Sequence, residues 1–315
     1  MRAYLIILAS LMLLVSGCAE LRSMIPDSLP GLQSQPKSGI ILGPSGTVSM
    51  DIIYPKEKGQ VIRDITFSPL INVKNTGSSD ARGQVCITGL DSSVFGGAGS
   101  CDCRTYAFSR IEGEGFPTES LAFGPYSISQ DPQLSDFTIT VINRFAYTSK
   151  ALFKPCIRKE YDASDCSLQL PEASNGPIAI MSITEVATPS QGRNMIMAFN
   201  VELKRVSPGR LIEQRSVEAE CLVEDMSFDS RKVQPKINGI ISGLPFMGSV
   251  ECKEATLKED GTGTLSCVVG EIDLFDQNGN YRFSGSYQTP ASLVISYGFE
   301  QIDSNRFSIG ASMYQ

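Results

Sequence analysis

Between residues 48 and 300 apolar and polar positions alternate with a period of two, in short runs separated by turn-forming residues. Residues 48–54 (VSMDIIY) predict one strand. Residues 66–74 (TFSPLINVK) predict a second, stopped by Asn75, Thr76 and Gly77. Residues 82–88 return, and 137–145 (FTITVINRF) alternate without a break. Met195, Met197, Phe199, Val201 and Leu203 share one face of a later strand, against Ala198, Asn200, Glu202 and Lys204 on the other. That spacing makes the methionines a core face and not a copper-binding array. Residues 250–257 and 262–269 predict a hairpin around Asp260-Gly261, and 272–275 with 281–284 a second around Asn278-Gly279. No stretch carries a convincing helical period.

The expected fold class is therefore all-β, with immunoglobulin-like β-sandwich domains. The run EASNGP at 172–177 reads as a domain boundary. Its two sides echo each other: FSPLINVKNTGSSDARGQVCI and FNVELKRVSPGRLIEQRSVEAECL are each a strand, a polar glycine-bearing turn and a strand reaching a cysteine. The reading is two tandem sandwiches, at 48–170 and 177–315.

Phe67-x-Pro69 followed by INVKNTG at 71–77 resembles the CARDB and related immunoglobulin-like modules of prokaryotic surface proteins. CITGLDSSVFGG, FAYTSKALFKPCI, VECKEATLKEDGTGTLSC and TPASLVISYGF together are similar to a group of exported proteins from archaeal genomes. The resemblance implies a sandwich fold and a surface or adhesion-type role, and its motifs are structural; fold by itself does not fix function.

The amino terminus supplies an address. Arg2 precedes an apolar run of 13 residues, 3–15, which is shorter than the roughly 20 needed to span a bilayer and fits a signal h-region. Val15-Ser16-Gly17-Cys18 resembles the lipobox of prokaryotic lipoproteins, in which the cysteine is lipidated and becomes the mature terminus. The expectation is a signal at 1–17, then lipidated Cys18 on a polar, proline-punctuated tether over 18–47. LGPSGTV within that tether lacks the Lys and Ser/Thr of a phosphate-binding loop and reads as a turn. The protein is thus expected to be exported and held at the cell envelope, facing outside the cytoplasm.

Composition changes the picture in two ways. The net charge of −7, with no basic cluster, excludes nucleic acid as a partner. The absence of histidine removes the commonest general base and metal ligand, and tryptophan is absent as well.

Nine cysteines become eight when Cys18 is assigned to lipid, an even number that reads as disulfides in an exported chain. Cys156 and Cys166 suit a local loop-closing bridge. Cys252 falls opposite Cys267 if residues 258–261 form the hairpin loop, although Cys221 competes for either. Cys86 is expected to take Cys101 or Cys103, since neighbours in a Cys-x-Cys unit bond each other with difficulty. A zinc site from Cys86, Cys101, Cys103 and a fourth thiol would lack the usual paired Cys-x2-Cys knuckles.

Asp273, Asp276, Asn278 and Asn280 offer an oxygen-rich calcium candidate. The glycine and bidentate glutamate of such a loop are replaced by Tyr281 and Tyr287, so a hairpin turn explains the same residues. No other cofactor is implied. Glu112 with Glu114, and Glu259 with Asp260, are the nearest approach to paired catalytic carboxylates, and they lie in glycine-flanked polar turns. The functional expectation is a lipid-anchored, non-catalytic binding or scaffolding module for a protein or cell-surface partner, with residues 90–99 (LDSSVFGGAG) as a mobile contact loop. The alternatives are an accessory subunit of a secretion, pilus or transport assembly and, behind it, a carboxylate-dependent envelope hydrolase.

Overall fold

The structure is a computed structural model that describes residues 39–40, 47–53, 60–62, 66–99, 101–109, 115–128, 136–157, 168–173, 175–189, 194–218, 235–244, 249–282 and 287–310. The leader, Cys18 and the tether up to residue 38 lie outside them, as do Cys166, Cys221, Glu112 and Glu114.

The chain is built of strands. In order they are β1 (Gly39–Ile40), β2 (Val48–Ile53), β3 (Gln60–Ile62), β4 (Leu70–Asn75), β5 (Ala81–Thr88), β6 (Phe95–Gly96) and β7 (Asp102–Phe108). Next come β8 (Thr118–Ala122), β9 (Ser127–Ile128), β10 (Asp136–Lys154), β11 (Cys156–Ile157), β12 (Gln169–Ala173), β13 (Ile178–Pro189) and β14 (Asn194–Arg205). After β15 (Arg210–Ile212) a short 3-10 turn covers Gln214–Glu218. The last strands are β16 (Asn238–Ser242), β17 (Val250–Glu251), β18 (Thr262–Asp273), β19 (Tyr287–Gln288) and β20 (Ala291–Gly310). Among the described residues there is no α-helix, so none that could cross a membrane.

The sheet that organises the molecule runs β17-β16-β20-β10-β5-β7, with β12, β15 and β3 at its margins. Its centre is the antiparallel pair of β10 and β20, in register from Asp136 opposite Ser308 to Phe153 opposite Ala291. Their alternation places Phe137, Ile139, Val141, Phe145, Phe153, Leu293, Ile295 and Phe299 inside. Two smaller sheets contribute to the same core: β2-β4-β8, through Ile71, Val73 and Leu121, and β1-β13-β14-β18, through Phe199, Val201 and Leu265. The ring of Phe153 meets that of Phe199 edge-on at 5.3 Å, which ties the four-stranded sheet to the main one.

The all-β architecture follows from the alternating pattern, but the division at 171–176 does not separate two sheet systems. Residues 37–315 form one compact unit, because β10 from one half and β20 from the other are neighbours in a single ladder. The residues expected to link two domains are packed instead. Gly176 and Pro177 are buried. The Tyr147 hydroxyl donates to the carbonyl of Asn175 at 2.6 Å, and the Asn175 amide donates to Ser78 Oγ at 2.8 Å.

The turns follow the sequence closely. Residues 258–262 and 276–280 close in the same way. Gly261 N donates to Lys258 O, and Lys258 N to Thr262 O; Gly279 N donates to Asp276 O, and Asp276 N to Asn280 O. Gly261 and Gly279 sit at φ +80° and +81°, where a side chain would be strained, and this is the type I turn with a glycine bulge. Beyond the first turn the hairpin opens. β17 pairs with β16, and only the bridge from Lys253 to Ser266 keeps the expected register with β18.

Three buried tyrosines give the fold a pH signature. Burial pushes the hydroxyls of Tyr106, Tyr126 and Tyr297 well above the ordinary value of 10.0, and for Tyr126 the neighbouring Asp102 carboxylate adds to the effect. A group whose folded pKa is raised holds its full stabilising contribution below the unfolded pKa and loses it as pH climbs towards the folded one. Stability is therefore expected to fall as pH rises past about 10. In a titration followed at 295 nm these three should stay un-ionised until the fold gives way; a single transition of all the tyrosines near 10 would contradict their burial.

Candidate interaction surface

The four-stranded sheet turns one face to the core and the other to solvent. On β14, Met195, Met197, Phe199, Val201 and Leu203 are buried, and the residues between them point outwards. The methionine stripe is therefore core.

A row of apolar residues crosses the outer face. Val186 on β13 is opposite Ala198 on β14, and Ala198 is opposite Val268 on β18. Val268 is 59% exposed and Val186 37%, the largest such value in the described chain being that of Val268. Ile196, half-buried, lies two residues along β14 from Ala198 on the same face. The next row, Thr184, Asn200 and Ser266, is polar, and the row after it holds Ser182, whose hydroxyl donates to Glu202 at 2.8 Å.

A bulge follows directly after this row. The register slips between Met197 and Ala198, with Gly270 opposite Met197 and Val268 opposite Ala198, so Val269 is the extra residue. Val269 is buried and Gly270 takes φ +92°. Of the Val268-Val269 pair, the second fills the core and the first is left outside. Among the described residues β13 is paired on its outer side at Ser182 and Ile183, by β1.

Other exposed apolar side chains stand apart from this row. Ile240 and Leu152 lie on the main sheet, opposite Val294 and Ser292 respectively. Ile302 sits opposite Ile142.

Cys86 bonds Cys103, and Cys252 bonds Cys267. Each joins residues from neighbouring chain segments that lie side by side. Cys101 and Cys156 are disulfide-bonded too. With Cys86 and Cys103 joined to each other, the zinc alternative has lost two of its thiolates.

The calcium candidates form a turn whose acceptors are already engaged. Asp276 Oδ1 accepts from the amides of Asn278 and Asn280 at 2.9 and 2.8 Å, and Asp273 Oδ1 accepts from the Phe275 amide at 3.0 Å. Asp273 also faces Arg282 at 3.9 Å. Among the described residues, the one group of three potential metal ligands within 4.8 Å of one another is Cys86, Cys101 and Cys103.

Glu259 and Asp260 are exposed in the first turn. There Asp260 accepts from the Thr262 hydroxyl and amide, which holds its carboxyl below the usual value. In the same way the Ser93 hydroxyl and amide lower Asp91. That second turn belongs to the predicted contact loop, which is anchored rather than free-standing. Leu90 and Phe95 are buried, β6 pairs with β9, and the Phe95 ring lies 4.8 Å from that of Phe137.

The apolar row was missed because it depends on register across three strands. Its trace in the sequence is the Val268-Val269 doublet, which breaks the alternation of β18. No protein-family model matches the chain, and no curated protein is significantly similar to it.

Proposed function

We propose that the protein is an exported, lipid-anchored component of the cell envelope that binds or scaffolds a protein partner and performs no catalysis. The observation that carries the binding part is the solvent-facing row Val186, Ala198 and Val268, displayed on a sheet that packs into the main core. An apolar row extended by Ile196 on one side and bordered by polar rows on the other has the composition of an interface centre meeting its rim. The disulfides support an oxidising compartment, and the Val15 to Cys18 motif supports the lipid anchor. The lack of any histidine supports a non-catalytic role.

A second reading, membership of a larger envelope assembly, draws on the same row. The two differ in what the row contacts: a separate surface partner, or the subunits of a stable membrane-bound complex.

Labelling cells with a radioactive fatty acid should mark the wild type and leave Cys18→Ser unmarked; equal label in both would overturn the anchor. Crosslinking on the same intact cells should yield a protein adduct that Val268→Arg reduces about tenfold or more, the loss expected when a charge enters an apolar contact. An unchanged adduct would remove the row from the interface. The mass of the adduct separates a single partner from an assembly.

A further inference from the structure

The solvent face of the main sheet carries a row that is its own complement. Lys150 on β10 is opposite Val294 on β20, Val294 is opposite Ile240 on β16, and Ile240 is opposite Glu251 on β17. The residues beside them in sequence, Ser149, Leu293, Ile295 and Ile241, are buried, and Val250 packs against the core. Alternation therefore turns the four outwards. Lys150 and Glu251 are exposed, Ile240 is 43% exposed and Val294 is half-buried. Across the four strands the row reads cation, apolar, apolar, anion. Ser242 and Ser292 border it on one side, Asn238 and Ser296 on the other, and such short side chains let a flat surface approach.

We propose that two copies of the chain meet on this face, sheet against sheet, about a two-fold axis that runs along the strands between β20 and β16. Rotation about that axis turns the row end for end. Lys150 of each copy comes over Glu251 of the other, and Ile240 of each over Val294 of the other. The same patch serves both copies, as in an isologous dimer. Its apolar pair lies at the centre and its charges at the rim, the usual anatomy of an interface.

The order of the charges selects the axis. A two-fold at right angles to the strands would set lysine over lysine and glutamate over glutamate, which like-charge repulsion disfavours. The axis along the strands also keeps the two sheets nearly aligned, the arrangement in which twisted sheets pack face to face. Lys150 has a partner within its own chain as well, and its ammonium has three donors to divide between the two. The face belongs to a different sheet from the Val186 row, so the dimer stands whether or not that row binds anything.

The first test treats intact cells expressing the full chain with a carbodiimide, which joins a carboxylate to an amine without a spacer. Strands three apart in one sheet are separated by roughly 14 Å, too far for such a bond within one copy. The expected product is dimer-sized and contains a Lys150–Glu251 isopeptide. Absence of that product, or Lys150 joined to a different protein, would overturn the proposal. The second test co-expresses two full chains with different tags and measures how much of one is recovered with the other. Lys150→Glu in both copies, or Glu251→Lys in both, should lower recovery about tenfold by setting like charges against each other at both ends of the row. Lys150→Glu in one copy with Glu251→Lys in the other should restore it to within about twofold, because both ends then bring opposite charges together. Damage to the fold of either chain is not repaired by a substitution on a separate chain, so failure of the mixed pair to recover would overturn the proposal even if the wild type associates. Val268→Arg, on the other sheet, should leave recovery unchanged, and a comparable loss there would place the contact on the wrong face.

Discussion

Replacing Glu300 with alanine should lower the free energy of unfolding by roughly 3–5 kcal/mol, the cost of breaking a buried ion pair by removing one member. Its side chain is 1% exposed, yet it lies on β20 between two arginines. Arg144 on β10 donates through Nε to one carboxylate oxygen at 2.8 Å, and Arg210 on β15 to the other at 2.6 Å. Glu300 is opposite both residues in the ladder, so the three form a row across adjacent strands. Removing the acid leaves Arg144, which is mostly buried, without its counter-charge.

Arg210 is 58% exposed and can turn to water, so Arg210→Ala should cost no more than about 1 kcal/mol. For a chain of this size the Glu300 variant should melt roughly 6–20 °C lower. Thermal denaturation of the two variants side by side checks the asymmetry. Equal losses would mean that the acid is not the member on which the row depends.

Phe137→Ala should have a comparable effect, roughly 3–5 kcal/mol, because a large aromatic leaves a cavity that its neighbours fill only in part. Its ring lies 4.8 Å from Phe95, 6.0 Å from Phe67 and 5.5 Å from Phe307. These three come from the contact loop, an early segment and the last strand, so one side chain joins parts of the chain far apart in sequence. Hydrogen exchange should accelerate at Phe67, Phe95 and Phe307 together in the variant. Acceleration confined to the neighbourhood of Phe95 would show that the cluster is not cooperative. Denaturant unfolding of the same variant supplies the magnitude.

Local features were legible in the sequence because they have local causes. The alternation of residues 137–145 gave the start of β10, and Asp-Gly and Asn-Gly gave both bulged turns. The cross-strand bond of Cys252 to Cys267 was legible as one of the open pairings, with Cys221 left as a competitor, although the turn closes with Lys258 opposite Thr262 and the expected register returns only at Lys253 and Ser266. The full extent of β10 and its pairing with β20 were not legible, because the partners are more than 130 residues apart and nothing local sets which strand lies beside which.

The EASNGP run illustrates the same limit. Glycine and proline suit an exposed linker and equally suit a backbone pressed beneath Tyr147. Likewise, the Ser and Gly of residues 90–99 drew attention away from Phe95, the residue that pins them. Val268 faces outwards in step with Ser266, while Leu265, Cys267 and Val269 face inwards, so its exposure depends on the register of β18 against β14, and a slip of one residue would reverse every side chain on the strand.

The central place of β20 has a consequence for the order of synthesis. This strand completes the main sheet, lying between β10 on one side and β16, β15 and β3 on the other. It is also the last of the described strands in chain order. Until residues 291–310 emerge, β10 has no β20 to pair with along a strand of 19 residues, and the early half of the chain cannot close its core. Such late, long-range pairing is slow and leaves strand edges available to the wrong partners. A chain delivered across a membrane before folding meets this constraint after its last strand has arrived, when all the pieces of the sheet are present together.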